Sequence, residues 1–300
     1  MNSRRSFIKK SLAGAALLAF PLSGEAFFKR GSTRIVILHT SDLHSRIDPF
    51  PNDHPRYPGK GGFAQRAAQI QKIRTENEHV LLFDSGDILQ GTPYFNFYKG
   101  QPEFELMSRM GYDAATLGNH EFDNGLEALN QLLPHADFPF ISANYHFENT
   151  ALKGKIIPWK IFQKGPVKIG VLGLGIDPKG LIAASNYSGM KWSNPLETGE
   201  ATAAYLKQQG CHLVVALSHL GLQMDRGRYD DMQLAAHSTN IDLILGGHTH
   251  SFMERPLLTQ NAVGKEILIL HSGQHGVQMG RLDFEFGPEP DNTPYRLLNG

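Results

Sequence analysis

The sequence predicts an α/β fold, a four-layer α/β/β/α sandwich in which two mixed sheets pack face to face and are flanked by helices. From Arg34 onward, apolar runs typical of buried strands alternate with segments that carry apolar residues at helical spacing. This alternation indicates βαβ units and a largely parallel sheet. A second group of strand-like runs has few helices between its members, which indicates a second sheet or a mixed edge.

The predicted elements follow one another along the chain. Apolar runs typical of buried parallel strands lie at 35–38, 80–83, 114–117, 213–216 and 243–245. Helical spacing is found over 63–77, 103–110, 126–135, 195–209 and 229–237. The second group of strands covers 156–162, 168–173, 266–271 and 281–286. Loops rich in proline and glycine, at 48–62 and 178–195, either border an active site or are surface excursions.

Residues 1–26 are predicted to be a twin-arginine export signal. Arg4 and Arg5 precede an aromatic and a basic residue, and a weakly apolar run follows over 11–22. That run is shorter than the roughly 20 residues of a bilayer-spanning helix, so we expect no stable membrane anchor. Small residues before position 27 favour cleavage after Ala26, with an N-terminus that stays attached as the alternative. The sequence therefore predicts a periplasmic or otherwise exported protein.

Composition predicts one domain over 33–287, followed by a polar, proline-rich C-terminal tail at 288–300. The chain has 29 basic and 29 acidic residues, and the leader holds four of the basic ones but one acidic one. The remainder is slightly acidic and has no run of Lys and Arg, which argues against a nucleic-acid polymer as partner. The lone Cys211 excludes an internal disulfide and is predicted to be a small buried apolar residue.

Polar clusters follow the five predicted parallel strands directly. They are Asp42-Leu43-His44, Gly86-Asp87, Gly118-Asn119-His120-Glu121, Ser218-His219 and Gly247-His248-Thr249-His250. Because sites in open α/β sheets form at the carboxyl ends of strands, we expect these side chains to converge. Imidazole, carboxylate and amide without thiolate fit Zn, Mn, Co or Fe better than a cysteine-rich zinc site or a calcium site. The pattern predicts a hydrolase with two divalent metal ions.

The clusters divide into two predicted ligand sets that share one carboxylate. A shared oxygen offsets the repulsion of two cations and holds them roughly 3.5–4 Å apart. Asp87 is the predicted bridge, because Gly86 lets the backbone approach the ions, while Asp84 is expected to position the loop. The first set is Asp42, His44, Asp87 and His250, and the second is Asp87, Asn119, His219 and His248.

The ordered clusters resemble the calcineurin-like metallophosphoesterase superfamily. Segments 39–44, 112–125 and 246–250 are similar to the 5′-nucleotidase family, which includes secreted UDP-sugar hydrolases, and the likeness runs from about Arg34 to Phe286. The resemblance implies a metallophosphatase sandwich, two metals held by the ligands above, and a catalytic pair at His120 and Asp123. The residues alone support that pair, because Asp123 can accept a hydrogen bond from His120, fix its tautomer and favour imidazolium.

The resemblance implies an exported phosphoesterase that hydrolyses small phosphate esters, above all nucleotides, through metal-activated hydroxide. Members of the family generally add a C-terminal domain that holds the substrate phosphates and sandwiches the base, and we expect this chain, which runs to Gly300, to lack that domain. We therefore expect either a separately encoded substrate-binding domain or a minimal phosphoesterase. A hydrolase of cyclic phosphodiesters or sulfur-bound substrates is an alternative, as is a noncatalytic metal-binding subunit, against which the His120 and Asp123 pair argues.

Several other side chains have two interpretations. His39, His212 and His271 are expected to be structural, whereas His275 could line the pocket or stay in a loop. Four aromatic residues follow the predicted bridging loop: Tyr94, Phe95, Phe97 and Tyr98. Packing in the core is the expected role for them, and stacking on a base is the alternative.

Overall fold

Two mixed sheets form the framework of the protein, in a computed structural model that describes residues 31–225, 227–287 and 295–299. The predicted export signal at 1–26 lies outside the described residues. Within the described part of the chain, no helix has the length and apolar character needed to cross a membrane.

The first sheet has five strands in the order β13-β12-β1-β2-β3. Its strands are β1 (Thr33–Thr40), β2 (Val80–Asp84), β3 (Ala114–Ala115), β12 (Gly280–Phe286) and β13 (Tyr295–Asn299). Strands β1, β2 and β3 are parallel, and β12 pairs antiparallel with both β1 and β13. The carboxyl ends of the three parallel strands therefore meet at one edge of this sheet.

The second sheet has six strands in the order β10-β11-β9-β8-β6-β5. Its strands are β5 (Trp159–Lys164), β6 (Val167–Gly175), β8 (Leu213–His219), β9 (Leu243–Gly246), β10 (Leu257–Gln260) and β11 (Glu266–His271). The four central strands are parallel, whereas β5 and β10 at the edges are antiparallel to their neighbours. A small two-stranded sheet pairs β4 (Tyr145–His146) with β7 (Lys191–Trp192).

The helices lie where the periodicity predicts them, except for the one at Pro93–Tyr98, which was not predicted. They are α1 (Phe63–Glu76), α2 (Pro93–Tyr98), α3 (Gln101–Met110), α4 (Gly125–Leu132), α5 (Pro195–Gln208) and α6 (Asp231–His237). Short 3-10 turns lie at His120–Phe122, Leu133–His135 and Ala184–Tyr187.

Alternating residues of β1 show how the layers stack. Ile35 and Ile37 pack between the two sheets, while Val36 and Leu38 face the helices on the other side of their own sheet. All four side chains are buried, and each contributes about 2 kcal/mol through its removal from water. A third apolar layer lies between the second sheet and helices α5 and α6. The predicted four-layer sandwich is thereby confirmed.

The two observed sheets do not correspond to the two groups of strands predicted from the sequence. The run predicted at 281–286 joins the first sheet beside β1, and the runs at 213–216 and 243–245 join the second sheet. The third predicted parallel strand has only two paired residues, Ala114–Ala115. Residues 295–299, within the predicted tail, form the edge strand β13. Apolar periodicity identifies a strand, but hydrogen bonding to distant segments decides its neighbours.

Candidate metal centre

The predicted ligands come together at the carboxyl ends of parallel strands from both sheets. In the first sheet, Asp42 and His44 follow β1, Asp87 follows β2 and Asn119 follows β3. In the second sheet, His219 ends β8, and His248 and His250 follow β9. The two sheets thus place side chains that are up to about 200 residues apart in sequence around one centre.

One group of ligand-type atoms belongs to Asp42, His44 and His250, whose candidate atoms all lie within 4.8 Å of one another. The Nε2 atoms of His44 and His250 are 2.9 Å apart, and Nε2 of His250 is 3.5 Å from Oδ1 of Asp42. Burial and the neighbouring histidines lower the pKa of His44 to about 4. At neutral pH this ring is therefore uncharged and can present a nitrogen lone pair to a cation.

A second group consists of Asp87, His219 and His248. Nε2 of His219 is 3.1 Å from Oδ2 of Asp87, and its Nδ1 is 2.6 Å from the carbonyl oxygen of Ser85. A hydrogen bond from Nδ1 to that carbonyl leaves Nε2 free for a metal, as is usual for metal-binding histidines. Asp87 also groups with His44 and His120, so it lies between the two ligand sets.

Unpartnered buried atoms in the centre fit divalent metal ions. Oδ2 of Asp42 and Oδ1 of Asn119 are buried and have no hydrogen-bond partner among the described residues. Such atoms are costly in a protein interior unless something compensates them. Burial and the nearby carboxylate of Asp87 raise the pKa of Asp42 to about 7. Oxygen and imidazole donors around these atoms suit a borderline divalent cation.

The backbone of the centre is strained at the candidate ligands. Positive φ angles occur at Asp42 (53°), His44 (48°), Asp87 (55°), His248 (72°) and His250 (52°). A side chain in this left-handed region costs on the order of 1–3 kcal/mol and persists where surrounding structure enforces it. Such strain concentrates at functional sites, and its presence at five candidate ligands is consistent with one.

Two glycines allow the loops after β2 and β3 to touch. A Cβ at Gly118 would lie 2.6 Å from the backbone nitrogen of Asp87 and closer still to its Oδ1. A Cβ at Gly86 would lie 2.9 Å from Cα of Gly118. Gly86 therefore lets its own loop approach the loop that contains Gly118. The sequence suggests that it also lets the backbone approach the ions.

Glu121 joins these two loops, and sequence reasoning gave it no role. Its buried carboxylate accepts hydrogen bonds from the backbone amides of Gly118 (2.6 Å), Asp87 (2.9 Å), Ile88 (2.8 Å) and Leu89 (3.3 Å). Charge-assisted bonds of this kind are stronger than bonds between neutral groups. In the sequence, the feature that could have indicated this role is the position of Glu121 at the end of the cluster Gly118-Asn119-His120-Glu121.

Asp84 also holds a loop, as the sequence predicts. It accepts hydrogen bonds from the backbone amide of Gly86 (2.9 Å) and from the hydroxyl of Thr40 (2.6 Å). Burial raises the pKa of this carboxyl to about 8.

His120 and Asp123 form a contact beside the ligand groups. Nδ1 of His120 lies 2.7 Å from Oδ2 of Asp123, and each side chain is about one-third exposed. The backbone amide of His120 donates to Oδ1 of Asp87 at 2.8 Å, and its ring centroid is 5.3 Å from that of His44. Partial burial opposes protonation, but the hydrogen bond to Asp123 and the charge of Asp87 raise the pKa of His120 to about 9. The contact with Asp123 therefore favours the protonated form of this imidazole.

The other histidines separate into structural and site residues. His39 contacts the hydroxyl of Ser85 at 2.9 Å, His271 contacts Asp231 at 2.8 Å, and His212 accepts from the amide of Lys168. These contacts fit structural roles. His275 instead lies at the centre, with its ring 5.5 Å from that of His44.

The aromatic residues after the Asp87 loop are placed in two environments. Phe95 is in the core, whereas the hydroxyl of Tyr94 donates to Asp48 at 2.8 Å. Phe97 and Tyr98 are exposed. The lone Cys211 is buried in an apolar layer, as predicted.

Known proteins resemble this chain in sequence and in structure. The family model described as calcineurin-like phosphoesterase matches residues 35–252. A snake venom 5′-nucleotidase of Gloydius brevicauda is 32% identical over 295 residues, which is 92% of this chain and 48% of that protein. The NAD nucleotidase of Haemophilus influenzae superposes with a TM-score of 0.79 at 27% identity, over 90% of this chain and 50% of the other.

A third comparison involves a chain of similar length. The calcineurin-like phosphoesterase YfkN of Bacillus subtilis superposes with a TM-score of 0.71 at 25% identity and covers 89% of both chains. By contrast, this chain spans about half the length of the curated relatives that it matches.

Proposed function

The chain belongs to the calcineurin-like phosphoesterase family, and from that premise we propose that it is a metal-dependent phosphoesterase with two divalent ions. Its substrates are small phosphate esters, above all nucleotides. The observation that carries this proposal is the convergence of two ligand groups, Asp42, His44 and His250 beside Asp87, His219 and His248.

Asp87 is the proposed shared ligand of the two sites. Asp42, His44 and His250 complete the first site, and Asn119, His219 and His248 complete the second. When bound, the two ions, of Zn, Mn, Co or Fe, lower the pKa of water and offset the charge on phosphate oxygens. The buried oxygen atom of Asn119 supports its assignment, because no donor among the described residues hydrogen-bonds to it.

His120 is the proposed proton donor to the leaving oxygen. Asp123 accepts from Nδ1, so the proton available for transfer is on Nε2. The hydrogen bond also fixes the orientation of the ring, and its positive charge can stabilise negative charge that develops on the phosphoryl group. Loss of such a group typically costs on the order of 3 kcal/mol in transition-state stabilisation.

Nucleotides are the proposed substrates because relatives are named for them. Both the snake venom protein and the Haemophilus influenzae protein are nucleotidases by name. The region that matches the family model, 35–252, contains every proposed site residue. Since those proteins are about twice as long, we also propose that a separately encoded domain can complete substrate binding. Recovery of no such partner by affinity purification, together with full nucleotidase activity of the isolated chain, would dismiss this second idea.

Phosphate release from the purified protein tests the proposed activity. After metal analysis, the protein is assayed with nucleoside mono-, di- and triphosphates, sugar nucleotides, ribose 5-phosphate and an aryl phosphate, with Zn, Mn, Co or Fe added. We expect turnover of nucleotides by the wild type and at least a 100-fold loss of kcat in His120→Ala. Metal-loaded protein without activity on any of these compounds would contradict the proposal.

A further inference from the structure

An aromatic strip leads away from the metal centre. We define it as His275, Phe50, Tyr57 and Phe252, in that order. Ring centroids are 5.5 Å apart for His275 and Phe50, 5.4 Å for Phe50 and Tyr57, and 5.9 Å for Tyr57 and Phe252. Its residues come from three separate loops, and rings in contact over such distances form a continuous surface.

The strip begins at the ligands themselves. The ring of His275 is 5.5 Å from that of His44, and its backbone amide donates to the carbonyl oxygen of Asp42 at 2.7 Å. At the other end, Phe252 follows His250 by two residues. Both ends are therefore tied to candidate metal ligands, so the strip has a fixed position relative to the proposed reaction centre.

Glycines hold the strip against the protein. A Cβ at Gly273 would overlap the ring of Phe252, lying 2.6 Å from its Cζ, so this ring packs directly on the glycine backbone. A Cβ at Gly61 would lie 2.9 Å from the carbonyl oxygen of His275. Phe252 also pairs with Ser272 through an isolated β-bridge. These contacts make the strip rigid before any ligand arrives, which favours binding.

Part of the strip remains accessible and carries positive charge. Phe252 is 39% exposed, and Tyr57 and His275 are half-buried. The guanidinium of Arg46 lies 4.2 Å from the ring centroid of Phe50, and that of Arg56 lies 5.2 Å from Tyr57. Among the described residues, neither arginine has a carboxylate oxygen within 4.0 Å. An accessible aromatic surface beside cations that form no close ion pair suits an anion that carries a planar ring.

We propose that the aromatic strip binds the base, or another planar ring carried by the leaving alcohol, of the phosphate ester whose phosphorus lies at the metal centre. This inference rests on the proposed function and adds a substrate-binding element within this domain. Phe252 supplies the stacking surface, and Tyr57, whose ring stacks on His54, supports it. His275 lies between them and the centre. The strip thereby gives the chain a means to distinguish a nucleotide from a sugar phosphate.

The exposed aromatic residues of helix α2 provide a contrast. Phe97 is 79% exposed, and Tyr94 and Tyr98 stack on each other with centroids 6.4 Å apart. No ring contact among the described residues joins these three to a candidate metal ligand. These residues have aromatic side chains like those of the strip, but they do not adjoin the metal centre. Phe97 is therefore a matched control.

Steady-state kinetics with AMP and ribose 5-phosphate test the strip, because the two substrates differ in the base. In Phe252→Ala of the full chain, we expect KM for AMP to rise about 5- to 100-fold, since stacking of one base is typically worth that range. KM for ribose 5-phosphate should stay within twofold of the wild type. Phe252→Trp should retain the wild-type KM for AMP, and Phe97→Ala should change neither constant.

Inhibition by adenosine gives a readout that does not depend on phosphate binding. In the wild type, adenosine should inhibit the hydrolysis of ribose 5-phosphate competitively. In Phe252→Ala, this inhibition should be lost. If Phe252→Ala fails to fold, as a thermal melt would show, Phe252→Leu keeps the apolar volume without a stacking face and replaces it. Equal KM changes for the two substrates, or an unchanged KM for AMP, overturn the strip alone. A metal-loaded wild type that hydrolyses neither substrate overturns the proposed function and the strip with it.

Discussion

The carboxylate of Glu121 accepts a hydrogen bond of 2.9 Å from the backbone amide of Asp87, and through this contact one loop of the metal centre positions another. The same carboxylate binds the amide of Gly118, which precedes Asn119. Glu121 thus fixes the position of Asp87, the proposed shared ligand, relative to Asn119, the proposed amide ligand, through hydrogen bonds from backbone amides. This arrangement sets the ligand geometry before a cation binds, and it leads to the first prediction.

Glu121→Gln should weaken the centre without removing a ligand. The substitution preserves shape but turns an NH₂ group toward backbone N–H donors, so at least one charge-assisted bond is lost, at about 3 kcal/mol. We expect a melting temperature lower by roughly 5–10 °C and reduced metal retention after dialysis. Glu127→Gln, at an exposed position of helix α4, is the control and should behave as wild type. Equal stability and metal content in the two variants would contradict this role of Glu121.

Asp87→Asn should remove metal more completely than any other single substitution at the centre. A shared carboxylate offsets the repulsion of both cations, and a neutral amide does so poorly. Elemental analysis should find the wild type with about two ions per chain and the variant with fewer than one. His212→Ala removes an imidazole outside the centre and should retain both ions. Full occupancy in Asp87→Asn would refute its assignment as the bridge.

The proposed phosphoesterase activity should depend on the protonated form of His120. Its raised pKa, about 9, keeps the imidazolium populated at neutral pH, and kcat should fall as the pH rises through that value. Asp123→Asn removes the carboxylate that raises this pKa, so the decline should begin at lower pH. The profiles are compared at saturating metal, with Asp137→Asn, at an exposed position, as the control. If kcat falls over the same alkaline pH range in the wild type and in Asp123→Asn, Asp123 is not the partner of His120.

Gly118→Ala tests the close approach of the two loops. The added Cβ would meet the backbone nitrogen of Asp87 at 2.6 Å, so one loop must move. We expect destabilisation of about 1–3 kcal/mol, measured by denaturant unfolding, together with weaker metal binding. Gly287→Ala has its nearest atom at 3.4 Å and should cost little. Unaltered metal affinity in Gly118→Ala would mean that the loops need not touch to hold the centre.

Replacement of Arg4 and Arg5 tests the predicted twin-arginine export signal. Twin-arginine routes read the paired guanidinium groups, so replacement of Arg4 and Arg5 by lysine should retain the protein inside the cell. Cell fractionation followed by immunoblotting measures this distribution, and Lys9→Arg is the control because it leaves the pair intact. Export of the double variant at the wild-type level would show that another signal is used.

Local sequence was sufficient for much of the fold and for the choice of candidate ligands. An apolar run such as Ile35–Leu38 needs burial on both faces, and a polar cluster directly after it must lie at the end of that strand. Periodicity and turn chemistry are properties of adjacent residues, so they can be read without the fold. The positions of Asp42, Asp87 and His248 after three such runs were therefore predictable.

The sequence by itself determined the main buried strands and the longer helices, which polar clusters follow the strands, and the absence of an internal disulfide. Only the tertiary structure decided which sheet each strand joins, that Glu121 binds the amide of Asp87, and that His275 and Phe252 lie in one aromatic strip. The reason is physical: these relationships are contacts between segments far apart in the chain, and their geometry depends on packing and hydrogen bonding across the two sheets.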